Sequence, residues 1–528
     1  MLNADEIAAL RDASVDLTQP IIDYLLRDLA ERISAAGEFS ATAQYETWKL
    51  QQLGVSQKEI KKRLKNLLKT SNAQIERLMT QSAETGYNFD LKMLSTGEAI
   101  PFAQNAAIQQ IVAAAVLLAQ DDLTNITRTL GMVDPYGKAQ PLQAAYRKCM
   151  DYAFMQVSTG ATDYNTAIRE ATKNLADKGV YVIDYESGLH TSLEAAVRRN
   201  IMGGLGLMQE EISKRNHDDM GADGWEIDAH SNSAPDHEPI QGKQYPDAEY
   251  EALNNSLVRR IGTLNCGHSA YPIIMGISSP QYTPEQLEAM REANEKGITY
   301  NGKHYTGYEA TQHQRALERA IRKQKRRILI DEATGDAEKL ETDQIKLQTL
   351  RQEYKRFSKA AGLRTQAERA EVAGFGHKQA NAASANYKRI ANAANSMYNA
   401  GSENQNIKAY MRDLPIRKQI RSESEKLIVN PEKQARHIKN SEGYVLGRSY
   451  ITVSNAELQD IVSRYAGTGE IVRSSKGKFM NREIITVDRE IGISIDPQTQ
   501  EETPTNRAYI HYSKSGTHVV PTAREKTK

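Results

Sequence analysis

Apolar residues recur three and four positions apart through most of the first 215 residues, and this spacing predicts helices almost throughout. Ser56 with Glu59 three positions on has the form of a capping box, in which a hydroxyl and a carboxylate each satisfy an otherwise unpaired N–H. Ile60, Leu64, Leu67 and Leu68 follow at helical spacing, so a helix is expected to begin there. A second start is expected at Thr191-Ser192-Leu193-Glu194, opening a helix through Ala195, Ala196, Ile201 and Met208. From about 221 to 280 Gly, Pro, Asp, Asn and Ser become frequent and the period disappears, which predicts irregular or short-stranded chain. Between Glu309 and Phe357 the chain is charged, with Leu340, Leu347, Leu350, Tyr354 and Phe357 at helical intervals. A coiled coil or long amphipathic helix is expected. Residues 375 to 425, rich in Ala, Asn, Ser and Lys, read as a helical stalk or partly disordered linker.

The pattern changes at Asn430-Pro431, where an Asn cap before a proline predicts a short helix. A strand-like Tyr444-Val445-Leu446 follows, then a helix capped by Ser454 with Glu457 and ended by Gly467. Five strands are predicted next, at Glu470 to Val472, Glu483 to Val487, Gly492 to Ile495, Ala508 to Tyr512 and Thr517 to Val520. Helices followed by an antiparallel meander is an α+β pattern. The fold class is therefore multidomain: mainly α in the N-terminal and central regions, with an irregular central segment and a long helix, then a small α+β C-terminal domain. The divisions fall at 1–220, 221–300, 301–427 and 428–528.

Length agrees, since 528 residues exceed what one core organises. With 39% apolar and 26% charged residues, 7 Phe and 2 Trp, the chain suits a long solvated helical protein better than a dense enzyme core. A formal charge of +1 selects no polyanionic partner for the whole chain, so charge has to be read locally. Cys149 and Cys266 form no disulfide pattern and fit a reducing compartment. The stretch MLNADEIAALRDAS lacks the form of a secretory signal, and Ala106 to Ala119 is too short and interrupted for a membrane span, so a buried helix is expected there.

His230, His237, Cys266 and His268 concentrate borderline metal ligands in the central segment. Two readings stand side by side: a structural zinc site, or a hydrogen-bonded loop core in which the histidines cap carbonyls while Trp225 and Tyr271 bury their rings. The spacing departs from common zinc patterns, which favours the second. A thiol nucleophile at Cys266 has no orienting partner that can be named. Arg315, Arg319, Arg322, Lys323, Lys325, Arg326 and Arg327 form a basic run that reads either as a contact for packaged DNA or an acidic protein, or as a solvated face balanced by Glu309, Glu318, Asp331 and Glu332.

The stretches GWEIDAHSNSAPDHEPIQGKQY (224–245) and RRIGTLNCGHSAYPIIMGIS (259–278), flanked by LHTSLEAAVRRNIMGG (189–204) and YNGKHYTGYEATQHQRALERAIRKQKR (300–326), resemble the phage minor capsid proteins related to portal-associated head-morphogenesis proteins. The resemblance covers roughly residues 1 to 360. It implies a virion component made in the bacterial host cytoplasm, with portal and capsid proteins as partners and a role in assembly or DNA delivery.

Residues 433–454 (KQARHIKNSEGYVLGRSYITVS), 458–471 (LQDIVSRYAGTGEI) and 507–521 (RAYIHYSKSGTHVVP) resemble the polymorphic-toxin domain called bacterial toxin type 50. That resemblance implies a barnase-like ribonuclease architecture, an RNA substrate and a cognate immunity protein. The residues themselves point the same way. Metal-free RNA cleavage needs a base for the 2′-hydroxyl, an acid for the 5′-oxygen and cations for the phosphorane, and histidine fills either proton-transfer role near neutrality. His437, His511 and His518 are the candidates, with Lys514 and Arg448 as phosphate ligands. Strand alternation sets Ala508, Ile510 and Tyr512 on one face and Arg507, Tyr509, His511 and Ser513 on the other, and a Ser515-Gly516 turn brings His518 near His511. Ser513, Thr517 and Tyr512 are candidate substrate contacts. No cofactor is required.

Overall fold

Ile22, Leu25, Leu26, Leu29 and Ile33 repeat at helical spacing, and all are buried along one side of α1 (Gln19–Gly37). The computed structural model describes residues 9–10, 13, 16–94, 100–183, 190–262, 267–398 and 402–523, and these form two compact units, residues 1–384 and 385–528.

In the first unit a 53-residue helix, α2 (Thr42–Leu94), runs straight through the helix start predicted at Ser56. Ser56 is buried and its hydroxyl donates to Asp28 Oδ2 at 3.0 Å rather than capping. The preceding turns are held by packing that no local signal announces. Tyr45 stacks on Phe154 with ring centroids 4.0 Å apart, and its hydroxyl donates to Asp151 at 2.7 Å.

Helix α3 (Ala106–Arg128) starts where the Asn105 side chain accepts from the Ile108 N–H. Ile108, Val112, Val116, Ala119 and Leu123 are buried, whereas Leu117 and Leu118 are 64% and 60% exposed. The expected buried helix is thus buried along one stripe only. Among the described residues α3 is the one helix long and apolar enough to cross a membrane by length and composition.

Next come β1 (Leu130–Val133), β2 (Ala139–Pro141), α4 (Leu142–Ser158), α5 (Tyr164–Lys178), β3 (Val180–Ile183) and β4 (His190–Ser192), the strands forming an antiparallel sheet in the order β2-β1-β3-β4. Helix α6 (Leu193–Met220) begins at the second expected start, with Ser192 accepting from the Ala195 N–H and Gly221 ending it at φ 66°. One core joins α1 to α6.

The irregular stretch is short-stranded, as its composition predicts. β5 (Gly224–Ile227), β6 (Gln244–Pro246), α7 (Asp247–Ser256) and β7 (Ala270–Ile273) build a small sheet of order β6-β5-β7. After α8 (Pro284–Lys296) and the β8 (Ile298–Tyr300) to β9 (Lys303–Tyr305) hairpin, the expected long helix is two: α9 (Gly307–Thr334) and α10 (Ala337–Ala360). Gly335 at φ 70° breaks the run, and Asp336 caps the second helix by accepting from the Lys339 N–H. The pair folds back antiparallel, with Tyr354 donating to Glu318 at 3.0 Å and Gln324 to the Asp343 carbonyl at 3.1 Å.

Helix α11 (His377–Met397) contains the unit boundary, and α12 (Glu403–Ser422) follows. The second unit then has α13 (Pro431–Ala435), β10 (Tyr450–Ile451), α14 (Asn455–Tyr465), β11 (Glu470–Arg473), β12 (Phe479–Thr486), β13 (Gly492–Ile495), β14 (Glu502–Thr505), β15 (Arg507–Ser513) and β16 (Gly516–Pro521). Antiparallel β11-β12-β15-β16 packs Ile471, Ile485, Ala508, Ile510 and Val519 against Leu458, Ile461 and Val462 of α14. This is the expected α+β unit, its second helix capped by Ser454 and Glu457. One expectation fails: Tyr444 and Val445 are irregular and Leu446 lies in a turn, 92% exposed, because no neighbouring strand takes up their backbone groups.

Candidate active site

The β15–β16 hairpin turns at Gly516, whose φ of 110° suits glycine. His511 and His518 are direct partners across it, their rings stacked at 4.7 Å between centroids and 16° between planes. On the other side of β15 the register sets Arg482 of β12 opposite His511, so Arg482, His511 and His518 form a row across three strands. His437, in the turn after α13, completes the group with its ring 6.0 Å from that of His518 and also within 16° of parallel. Its Nδ1 lies 2.8 Å from the Ser449 carbonyl. A carbonyl only accepts, so Nδ1 carries the proton and Nε2 of the neutral ring is an acceptor.

Cations surround the three rings. Burial is the main cause that pushes His511 down to about 4, with Arg482 and then His437 adding to it. Burial likewise leads at His518, also lowered to about 4, followed by His511, His437, Lys433 and Arg436. His437 is lowered by burial, against the Ser449 hydrogen bond and together with Arg448 and Arg436. No carboxylate is among the causes at any of the three. Among the described residues, buried His518 Nδ1 and Arg482 Nε have no hydrogen-bond partner. A recess with Arg482, Lys433 and Arg436 around it and no counter-charge favours an anion over a cation.

The remaining expected residues divide. Ser513 lies on the histidine side, where Lys433 Nζ donates to it at 2.7 Å. Arg448 is exposed in a turn and acts on His437 by its charge, and Lys514 is exposed at the hairpin tip. Tyr512 and Thr517 pair with each other one position along the hairpin, on the opposite face. The Tyr512 hydroxyl donates to buried Glu483, and Thr517 is fully buried with its N–H on the Ile428 carbonyl at 2.8 Å. Strand alternation therefore removes both from the recess. Sequence reasoning missed Arg482, Lys433, Arg436 and Tyr509, whose ring lies 5.0 Å under the Arg482 guanidinium. Lys433 and Arg436 stand within one turn of His437 and were open to inference, but Arg482 joins only through strand register.

The central histidines gather too. His237 and His268 are buried, with Nδ1 atoms 3.4 Å apart, and the His230 ring lies 4.2 Å from that of His268. His237 Nε2 is held by the Arg259 carbonyl at 2.9 Å, and His268 Nε2 by Gln241 at 2.9 Å. Among the described residues no group of three His, Cys, Asp or Glu is arranged to hold a metal ion, and Cys266 lies outside them. The basic run on α9 is largely internal. Arg326 pairs with Glu194, Arg327 and Lys323 reach Asp177, and Lys325 is held by the Ala370 carbonyl at 2.6 Å.

Residues 2–359 match the family described as Phage minor capsid protein 2, and residues 429–521 match the one described as Bacterial toxin 50. The class is thus a phage virion protein with a toxin domain at its C-terminal side. The chain belongs to the Phage minor capsid protein 2 family, whose model covers more than half of it. No curated protein and no solved structure matches the chain.

Proposed function

We propose that the toxin unit cleaves RNA without a metal, and that the recess around His437, His511 and His518 is its active site. The observation that carries this reading is the stack of three histidines inside a ring of cations, with Arg482 Nε unpartnered and no carboxylate. A phosphodiester supplies the missing negative charge, with Arg482 and Lys433 as the groups that hold it. His437 has its acceptor nitrogen free of the Ser449 bond, so it takes the proton of the 2′-hydroxyl as the 2′-oxygen bonds to phosphorus. His511 or His518, protonated once the anion offsets the local cations, gives a proton to the 5′-oxygen as the P–O5′ bond breaks. The products are a 2′,3′-cyclic phosphate and a 5′-hydroxyl, and no other reactant is needed.

The test is the full chain incubated with single-stranded RNA in excess EDTA. Cleavage leaving cyclic phosphate ends, lost in a His511→Ala, His518→Ala variant, is the expected result. Cleavage equal to that of the variant would leave a non-catalytic binding module. For the family-matched part we propose a place near the portal vertex of the head, supported by the motif resemblance. Cross-linking in assembled particles should recover portal peptides with it.

A further inference from the structure

Helix α2 carries Lys58, Lys61, Lys62, Lys65 and Lys69, all exposed. At 100° per residue these positions share one face, spread over roughly 100° of arc and about 16 Å of axis. Ile60 is buried and Leu64, Leu67 and Leu68 pack on the core from the other side, so the helix is amphipathic in charge as well as apolarity. None of the five lysines makes an ion pair or hydrogen bond among the described residues. Glu59, the single acid between Ser56 and Thr70, lies at the edge of this face, about 60° from Lys62 and about 160° from Lys61, and forms no ion pair with either.

The neighbourhood adds no compensation. A groove of about 750 Å³ beside the row is lined by Lys61, Lys65 and Lys69 together with Arg128 of α3, and by no Asp or Glu. Like charges four apart, as in 58/62, 61/65 and 65/69, oppose an isolated helix. Elsewhere in the same unit the basic run on α9 is matched to Glu194 and Asp177. Five unmatched lysines in a continuous row, beside a groove lined by no acid, leave this face with its counter-charge outside the protein.

We infer that this row docks duplex DNA through the phosphate backbone. Duplex DNA carries a charge every ~1.7 Å of axis, so 16 Å of it offers about nine phosphates to the five lysines, whatever the sequence. Lysines are mobile point charges, and a row of them along a straight helix axis complements a uniform linear polyanion without fixing individual contacts. The inference is independent of RNA cleavage, which concerns the other unit.

The experiment measures binding of the full chain to a mixed-sequence duplex of about 30 base pairs over a salt series, with poly-L-glutamate as the second probe. Changing all five lysines to Gln should weaken duplex binding at least tenfold near 0.1 M salt and flatten the log–log salt slope by roughly 3 to 4.5, at about 0.9 per lost contact. The five Lys→Arg changes keep the charge on the same helix and should keep both affinity and slope. An unchanged slope in the Gln variant would overturn the inference. So would poly-L-glutamate binding as tightly as the duplex and being lost in parallel, which would mark an acidic protein surface as the partner.

Discussion

His511 and His518 face each other across one hairpin with stacked rings, yet no carboxylate orients either of them. If the pair performs proton transfer, each change to Ala should lower kcat for RNA cleavage by ~10²- to 10⁴-fold, and the double change by far less than the product of the two. Single-turnover cleavage by folded variants checks this. Losses below threefold would remove these residues from the chemistry.

The pH profile follows from the cationic surroundings. With His511 and His518 both lowered to about 4 in the free protein, kcat/KM should peak below pH 6 and fall as pH rises and the acid loses its proton. Arg482 helps to push His511 down, so Arg482→Gln should move the acidic limb of the profile to higher pH while weakening substrate binding. A limb that stays in place or moves down contradicts that assignment.

The same shifts affect stability. Both rings hold fewer protons folded than unfolded between about 4 and an ordinary pKa of ~6.5. Their contribution is therefore complete above pH ~6.5 and is lost as pH falls through that window, on the order of 1 to 2 kcal/mol for each ring after allowing for solvent. Thermal unfolding of the toxin unit within the full chain should show the decline, and His511→Ala with His518→Ala should flatten it.

Glu483 lies across the sheet from the recess, accepting from the Gly467 and Gly469 N–H groups at 2.6 and 2.8 Å and from the Tyr512 hydroxyl. Glu483→Ala leaves these donors unpaired and should cost about 3 kcal/mol or more, whereas Tyr512→Phe should cost about 1 to 2 kcal/mol. Because both groups lie behind the sheet, kcat of folded Tyr512→Phe should stay within twofold of the parent. A hundredfold loss would return Tyr512 to the site.

Arg326 and Glu194 form a largely buried pair in the first unit, with Gln19 also donating to the carboxylate at 2.9 Å. Removing Arg326 leaves the carboxylate only the longer Arg322 contact at 3.7 Å and the Gln19 bond, so Arg326→Ala should destabilise that unit by about 1 to 3 kcal/mol. Its DNA affinity should match that of the parent at a temperature where both are folded. A specific loss of DNA binding without destabilisation would make the α9 run a nucleic-acid surface after all.

Local features were legible wherever a residue acts on its immediate chain neighbours. The caps at Ser454 and Asn430, the strand alternation that separates His511 from Ile510, and the Gly516 turn are all short-range chemistry, and the structure has each of them. The Ser56 cap misled because a cap is worth only about 1 kcal/mol and the aromatic packing of Tyr45 carries the helix past it. Arg482 could not be placed beside His511 before the register of β12 on β15 was known, and Tyr512 could be assigned a side but not the buried acid waiting there. The sequence by itself determined the helical first part, the α+β second part and the three histidines. Only the tertiary structure decided which cations surround those rings and which are neutralised internally, because the field at a side chain depends on distance through space and not on separation along the chain.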